Sequence, residues 1–220
     1  MPSITVENYV KQIYLEHQTT SSRKLVPMGK LAAAVGVTAG TATTMIKMLS
    51  DAGLVVYQPR GGVRLTTKGE KLALHVLRRH RLVELFLVAV LHLDWSEVHD
   101  EAEELEHSIS ERLLEKIDEY LGRPAFDPHG DPIPSADGKV THRDVLRLAD
   151  VESGQHVRIA RVVDQDERFL KFVERQGLKP GARITIETRD TLADAISIRL
   201  KEGKLITLGT AAAGKILVAT

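Results

Sequence analysis

The sequence predicts an α+β chain built in three parts: a winged helix-turn-helix, a helical body and a small β-barrel. Three patterns carry this reading. Apolar residues recur at helical spacing from Thr5 to Leu121. Two short strand-like runs, Leu54 to Tyr57 and Val63 to Thr66, interrupt that rhythm directly after a Gly-containing turn between helices. From His156 onward the period changes to two.

The first helix is expected from about Thr5 to Glu16, with Val6, Val10, Ile13 and Tyr14 on one face and Thr5 as its N-cap. The polar run Thr19 to Lys24 reads as a loop. A short helix, Met28 to Ala34, has Pro27 at its start and Gly36 past its end. The next opens at Val37 and Thr38, runs to about Ala52 and stops at Gly53. Helix, tight turn and helix form a weak signal alone. The hairpin that follows, looped at Gln58-Pro59-Arg60-Gly61-Gly62, makes it a winged helix. Such a module lays its second helix in the major groove of double-stranded DNA. Thr38, Gly40, Thr41, Thr43, Thr44 and Lys47 are then the candidates for base edges and thymine methyls. Lys24, Lys30, Lys47, Arg60 and Arg64 are the candidates for phosphates, which set position and salt dependence rather than specificity.

From Lys68 a long helix carries Leu72, Val76, Leu77 and His80, and Leu91 to Trp95 breaks it. A second and a third helix follow, the third stopping at Gly122. Helices this apolar need a partner surface, and a symmetric homodimer supplies one while presenting two winged helices to two half-sites. Gly122 to Gly138 is a Pro/Gly/Asp-rich connector, and His129 within it reads as a loop residue rather than a ligand. The strand-like runs His156 to Val163, Arg183 to Glu187, Ala195 to Leu200 and Leu205 to Thr207, with one helix at Glu167 to Gln176, pack naturally as a small barrel. The expected domains are 1–68 for DNA binding, 69–139 for the helical body with its connector, and 140–220 for the barrel.

Composition narrows the function classes. The 220 residues contain no cysteine, which excludes disulfides, zinc-thiolate sites and thiol catalysis. No apolar run approaches the ~20 residues of a membrane span and nothing resembles a signal peptide, so a soluble, cytoplasmic protein without membrane partners is expected. The zero net charge hides an asymmetry: residues 1–80 hold 11 Lys and Arg against 4 Asp and Glu, and residues 81–140 hold 5 against 15. A basic front end on an acidic middle suits a nucleic-acid reader coupled to a cation sensor.

The acidic middle holds the candidate chemistry. His80 and Glu84 form an i,i+4 pair on one helix, and His99, Glu103, Glu106 and His107 face broadly one way on the next. Mixed imidazole and carboxylate donors suit a divalent first-row metal such as Mn or Fe. Glu101 and Glu104 fit a solvated acidic face instead. Catalysis finds little support. Glu104 and His107 make a single Glu-x-x-His pair where a di-iron bundle needs two, and His-Glu-x-x-His, a phosphate loop and Gly-x-Ser-x-Gly are absent. The chain is therefore read as a non-enzyme. A metal-independent winged-helix regulator with an organic effector stays open, with operator binding indifferent to chelators as its mark.

The winged helix, Arg79-His80-Arg81-Leu82-Val83-Glu84, Val98-His99-Asp100-Glu101-Ala102-Glu103-Glu104-Leu105-Glu106-His107 and Asp127-Pro128-His129-Gly130-Asp131-Pro132-Ile133-Pro134 together resemble the diphtheria-toxin-repressor family, and within it the manganese-responsive branch. The resemblance spans essentially the whole chain. The C-terminal part resembles the SH3-like, FeoA-type domain, with Leu178-Lys179-Pro180-Gly181 fitting its pattern. This implies a dimeric repressor that binds operator DNA when a divalent metal fills two neighbouring sites, and metal-uptake genes as its targets. One site would use His80, Glu84 and His99 with an acidic residue of the C-terminal domain, Asp164 or Asp166. The other would use Glu103, Glu106 and His107 with Asn8 of the first helix. Iron-type members place a sulfur ligand where this chain has Glu103 and usually methionine at Asn8. A carboxylate is a harder donor and favours Mn(II), with Fe(II) or Co(II) as alternatives. Two departures stand out: manganese-type relatives often carry aspartate at the Asn8 position and sometimes glutamate at Lys11, and protonated lysine cannot ligate a cation.

Overall fold

The computed structural model describes residues 3–19 and 25–220. Of the expected loop from Thr19 to Lys24, Thr19 is the last residue of the first helix, and residues 20–24, Lys24 among them, lie outside the described residues. The chain divides into two compact units, Met1–Arg79 with Pro134–Lys139, and His80–Ile133 with Val140–Thr220.

In the first unit, α1 (Ile4–Thr19), α2 (Met28–Ala34) and α3 (Ala39–Asp51) precede the hairpin β1 (Val55–Gln58) and β2 (Gly62–Leu65). Thr5 lies inside α1 rather than capping it. Ser3 Oγ instead accepts from Val6 N–H at 3.4 Å, because the helix begins one residue earlier than its apolar rhythm. Ile13, Leu31, Ile46, Leu49 and Val63 are among the side chains that close the core. The hairpin pairs Val55 with Leu65 through Gln58 with Gly62, and Val26 bridges to Val63 on the hairpin's other edge. Gly62 has φ +125°, and a Cβ there would stand 2.4 Å from the Val26 carbonyl oxygen, so the bridge requires glycine.

Thr66 opens α4 (Thr67–Ala89), its Oγ1 accepting from Gly69 N–H at 3.1 Å. The helix carries His80 and Glu84 in its later turns, inside the second unit. There, α5 (Val98–Glu106) buries Val98 and Ala102 against Val83 and Leu87, and α6 (Glu111–Tyr120) buries Leu114 and Ile117 against Leu82. Ser110 caps α6 by accepting from Leu113 N–H.

The connector leads to a six-stranded antiparallel sheet ordered β3-β8-β4-β5-β6-β7. Its strands are β3 (Leu146–Arg147), β4 (His156–Val162), β5 (Arg183–Asp190), β6 (Ala195–Leu200), β7 (Leu205–Gly209) and β8 (Ile216–Ala219), with α7 (Glu167–Gln176) and the short α8 (Thr210–Ala213) beside them. Alternate residues Ile184, Ile186, Ile196, Ile198, Ile206 and Leu208 form the inner layer, joined by Trp95 of the helical body. Among the described residues, no single helix is long and apolar enough to cross a membrane.

Candidate functional site

Three side chains of the helical body meet at one point. His80 and Glu84 are one turn apart on α4 and almost wholly buried. His99, in the first turn of α5, leans over them with its ring 4.9 Å from that of His80. His80 Nε2 lies 3.0 Å from Glu84 Oε1, His99 Nδ1 lies 3.3 Å from the same oxygen, and the two nitrogens are 3.2 Å apart. A first-row divalent ion held at about 2.2 Å puts neighbouring ligands about 3.1 Å apart in octahedral geometry, so this triangle has the edges of one octahedral face.

The outer ring nitrogen of His80 is oriented by a carboxylate. His80 Nδ1 donates to Glu106 Oε2 at 2.7 Å, and His99 Nε2 is 3.8 Å from Glu103 Oε1. A ring N–H held by a carboxylate leaves the other nitrogen's lone pair directed inward, the usual support of a metal-binding imidazole. Burial alone would push the Glu84 carboxyl up. The adjoining His80 charge, hydrogen bonds from His80 and His99 and the charge of His129 together hold it well below the usual carboxylate range.

The other expected ligand set is only partly drawn together. Glu106 is fully buried at the end of α5, with Oε1 3.2 Å from His107 Nε2. Glu103 is exposed, with Oε1 3.8 Å from His99 Nε2. Glu101 and Glu104 are exposed, as a solvated face requires. Asn8 belongs to the first unit, where its Oδ1 is buried without a hydrogen-bond partner among the described residues. Lys11 is buried as well.

Asp164 and Asp166 do not join the His80–Glu84–His99 cluster. Asp164 pairs with Lys215 at 2.5 Å, and Asp166 caps α7 by accepting from Phe169 N–H at 3.1 Å. His129, read as a mere loop residue, lies in the connector but is fully buried, with Nδ1 3.8 Å from Glu84 Oε2. The pattern Asp127-x-His129-x-Asp131 was the available signal, since a solvated linker has no need of three alternating titratable groups. Asp127 is pushed well above the usual aspartate range, first by burial and then by the charges of Asp131 and Glu84, with Arg81 opposing.

On α3, Thr38 is the N-cap, accepting from Thr41 N–H at 3.2 Å. Thr43 and Thr44 donate to the Ala39 and Gly40 carbonyls at 2.7 and 3.1 Å, which leaves each hydroxyl oxygen able to accept, and Thr43 is half-buried. Gly40, Thr41, Thr44, Lys47, Arg60 and Arg64 are exposed. Lys30 is paired with Glu16 at 2.5 Å, which reduces its availability to a phosphate.

A winged helix on the same chain as a buried imidazole–carboxylate cluster is the arrangement of a metal-responsive DNA-binding regulator. Comparison with known proteins gives the family. Three family models match in succession: the iron-dependent repressor N-terminal DNA-binding domain over residues 1–63, the iron-dependent repressor metal-binding and dimerisation domain over 66–135, and the FeoA domain over 146–220. The iron-dependent repressor IdeR of Mycobacterium leprae is 30% identical over 197 residues, 84% of each chain. The diphtheria toxin repressor of Corynebacterium glutamicum is 30% identical over 90% of this chain and 97% of its own. A solved manganese-dependent transcriptional repressor in complex with manganese superimposes with a TM-score of 0.88 at 39% identity, covering 98% of this chain and 99% of the other. The chain belongs to the iron-dependent repressor family, whose members among these relatives are metal-dependent transcriptional repressors.

Proposed function

We propose that this chain is a homodimeric, manganese-responsive transcriptional repressor of metal-uptake genes, acting in the cytoplasm. The observation that carries the metal reading is the donor triangle of His80, Glu84 and His99, with edges of 3.0 to 3.3 Å. A divalent ion bound there would supply the positive charge that offsets clustered carboxylates. The chain's own residues do the rest. His80 turns one nitrogen to Glu84 and the other to Glu106, so one imidazole links the first ligand set to the second, Glu106 with His107 and Glu103. Both sets offer oxygen and nitrogen donors and no sulfur, which favours Mn(II) over softer metals, with Fe(II) and Co(II) as competitors.

The dimer reading rests on an apolar groove between α4, α5 and α6, where Leu91, Leu105, Leu113 and Tyr120 stand exposed. A contiguous apolar patch of this kind marks a partner surface. The DNA reading rests on the exposed face of α3 for base edges and on Lys47, Arg60 and Arg64 for phosphates.

A mobility shift on DNA from the protein's own gene neighbourhood tests this. Mn(II) is expected to be required for binding, and Glu103→Ala with Glu106→Ala is expected to raise the Mn(II) needed about tenfold or more. Binding indifferent to Mn(II), to chelator and to those substitutions overturns it.

A further inference from the structure

We propose that the C-terminal sheet carries a binding site for a small, multiply charged phosphorylated anion of the triphosphate class, in a basic groove beside β8, β4 and β5. The groove has a volume of about 730 Å³ and lies wholly within the second unit. Arg143, His156, Arg158, Arg183 and Lys201 line it, and no aspartate or glutamate does. All five are exposed. Arg158 on β4 stands directly opposite Arg183 on β5 in the ladder. Like charges at that position destabilise the strand pair, where opposite charges would support it. No carboxylate relieves the conflict: among the described residues, Arg143, Arg158, Arg183 and Lys201 make no ion pair. Other cations of the same unit are paired: Lys171 with Glu97 and Glu167, Lys179 with Glu174, Arg199 with Glu187. Glu202, next to Lys201, does not line the groove, and its carboxylate lies near Gly177 at the end of α7. A local conflict that packing leaves uncompensated marks a functional site, and a bound anion removes this one.

The cations also select the anion. An arginine fork matches the oxygens of a phosphate two at a time, and Arg158 with Arg183 sets two forks side by side. Arg143 has its guanidinium 3.4 Å from the Phe126 ring centroid, which occupies one face and leaves the edge N–H groups to donate. Lys201 follows β6, and its backbone N–H donates to the Arg183 carbonyl at 3.2 Å, which sets a fourth cation beside the pair. His156 and Thr185 pair across the same two strands, with Nδ1 and Oγ1 2.8 Å apart, and add a polar wall. Four side chains that stay positive at neutral pH match the several negative charges of a triphosphate better than the one or two of orthophosphate. A cleft lined by one sign of charge concentrates such a ligand. Its volume is that of a small-molecule site, and a nucleic-acid duplex is too broad to enter it.

Inorganic tripolyphosphate and ATP are to be titrated calorimetrically into the full chain without metal or DNA, so the result is independent of the regulatory reading. Each is expected to bind once per chain, and inorganic orthophosphate about tenfold or more weakly. Arg158→Gln with Arg183→Gln is expected to weaken both probes about tenfold or more, because hydrogen bonds to charged groups are lost. Arg60→Gln with Arg64→Gln, on the wing, is expected to leave them unchanged. The first pair of substitutions removes a repulsion between exposed side chains, so its thermal midpoint is expected at or above the parent's. Tripolyphosphate is expected to raise the midpoint of the parent and not that of this variant. Lys201→Gln, in the turn after β6, is expected to show a smaller loss in the same direction. Absence of binding by both probes overturns the proposal. Equal losses in the two double variants overturn it too, as diffuse attraction. So does a non-operator duplex whose binding needs Arg158 and Arg183 while the triphosphates ignore them, since the surface then belongs to nucleic acid.

Discussion

Asp127 shows what burial costs a carboxylate at the level of one residue. Its carboxyl is raised chiefly by burial, then by Asp131 and Glu84. A raised folded-state pKa favours the fold below the ordinary aspartate value of about 3.9, and that contribution is lost as pH rises through the raised one. Glu84 behaves oppositely: its lowered carboxyl contributes above the ordinary glutamate range and loses that contribution as pH falls. Asp127→Asn is therefore expected to stabilise the metal-free protein at pH about 7, with the gain disappearing near pH 3, where aspartate is protonated in both states. Urea unfolding of the metal-free variant and parent at the two pH values checks this, and a variant less stable at neutral pH contradicts it. His80, Glu84 and His99 were legible in the sequence because helical spacing alone sets the first pair and only one further helix had to be placed. His129 was not. Its burial depends on a turn, with Gly130 at φ +88° and a Cβ there only 2.1 Å from the Ala160 carbonyl oxygen, and on a strand from a distant part of the chain.

At the scale of elements, the reading helix α3 depends on its first residue. Thr38 satisfies the Thr41 N–H that the helix leaves unpaired, in the extended conformation a cap requires. Thr38→Ala is expected to destabilise the first unit by about 1 kcal/mol, whereas Thr38→Asn keeps a capping oxygen and stays near the parent. Chemical denaturation followed by circular dichroism separates the two, and equal losses would place the effect outside the cap. The helices and the hairpin were legible because caps, glycine stops and apolar spacing agree. The sheet was read less completely. Four strands were expected, but β3 and β8 also pair into it. β3 is two residues long, and the uniformly apolar Ile216-Leu217-Val218-Ala219 of β8 lacks the alternation that announces a strand. Asp164 and Asp166 were named through the family resemblance rather than from local pattern, and the structure has Asp164 paired with Lys215 and Asp166 capping α7.

At the scale of the whole molecule, the segregation of charge anticipated the division of labour: Lys and Arg outnumber Asp and Glu in residues 1–80, and the reverse holds in residues 81–140. A basic reader and an acidic sensor make a switch only when their ligands are linked energetically. Metal then raises affinity for DNA, and DNA must raise affinity for metal by the same factor. The most direct test is calorimetric titration of Mn(II) into the full chain, alone and with saturating operator duplex. The account predicts Mn(II) affinity about 5- to 150-fold higher with DNA, matching the factor by which Mn(II) tightens DNA binding. Identical Mn(II) affinities with and without the duplex would contradict it.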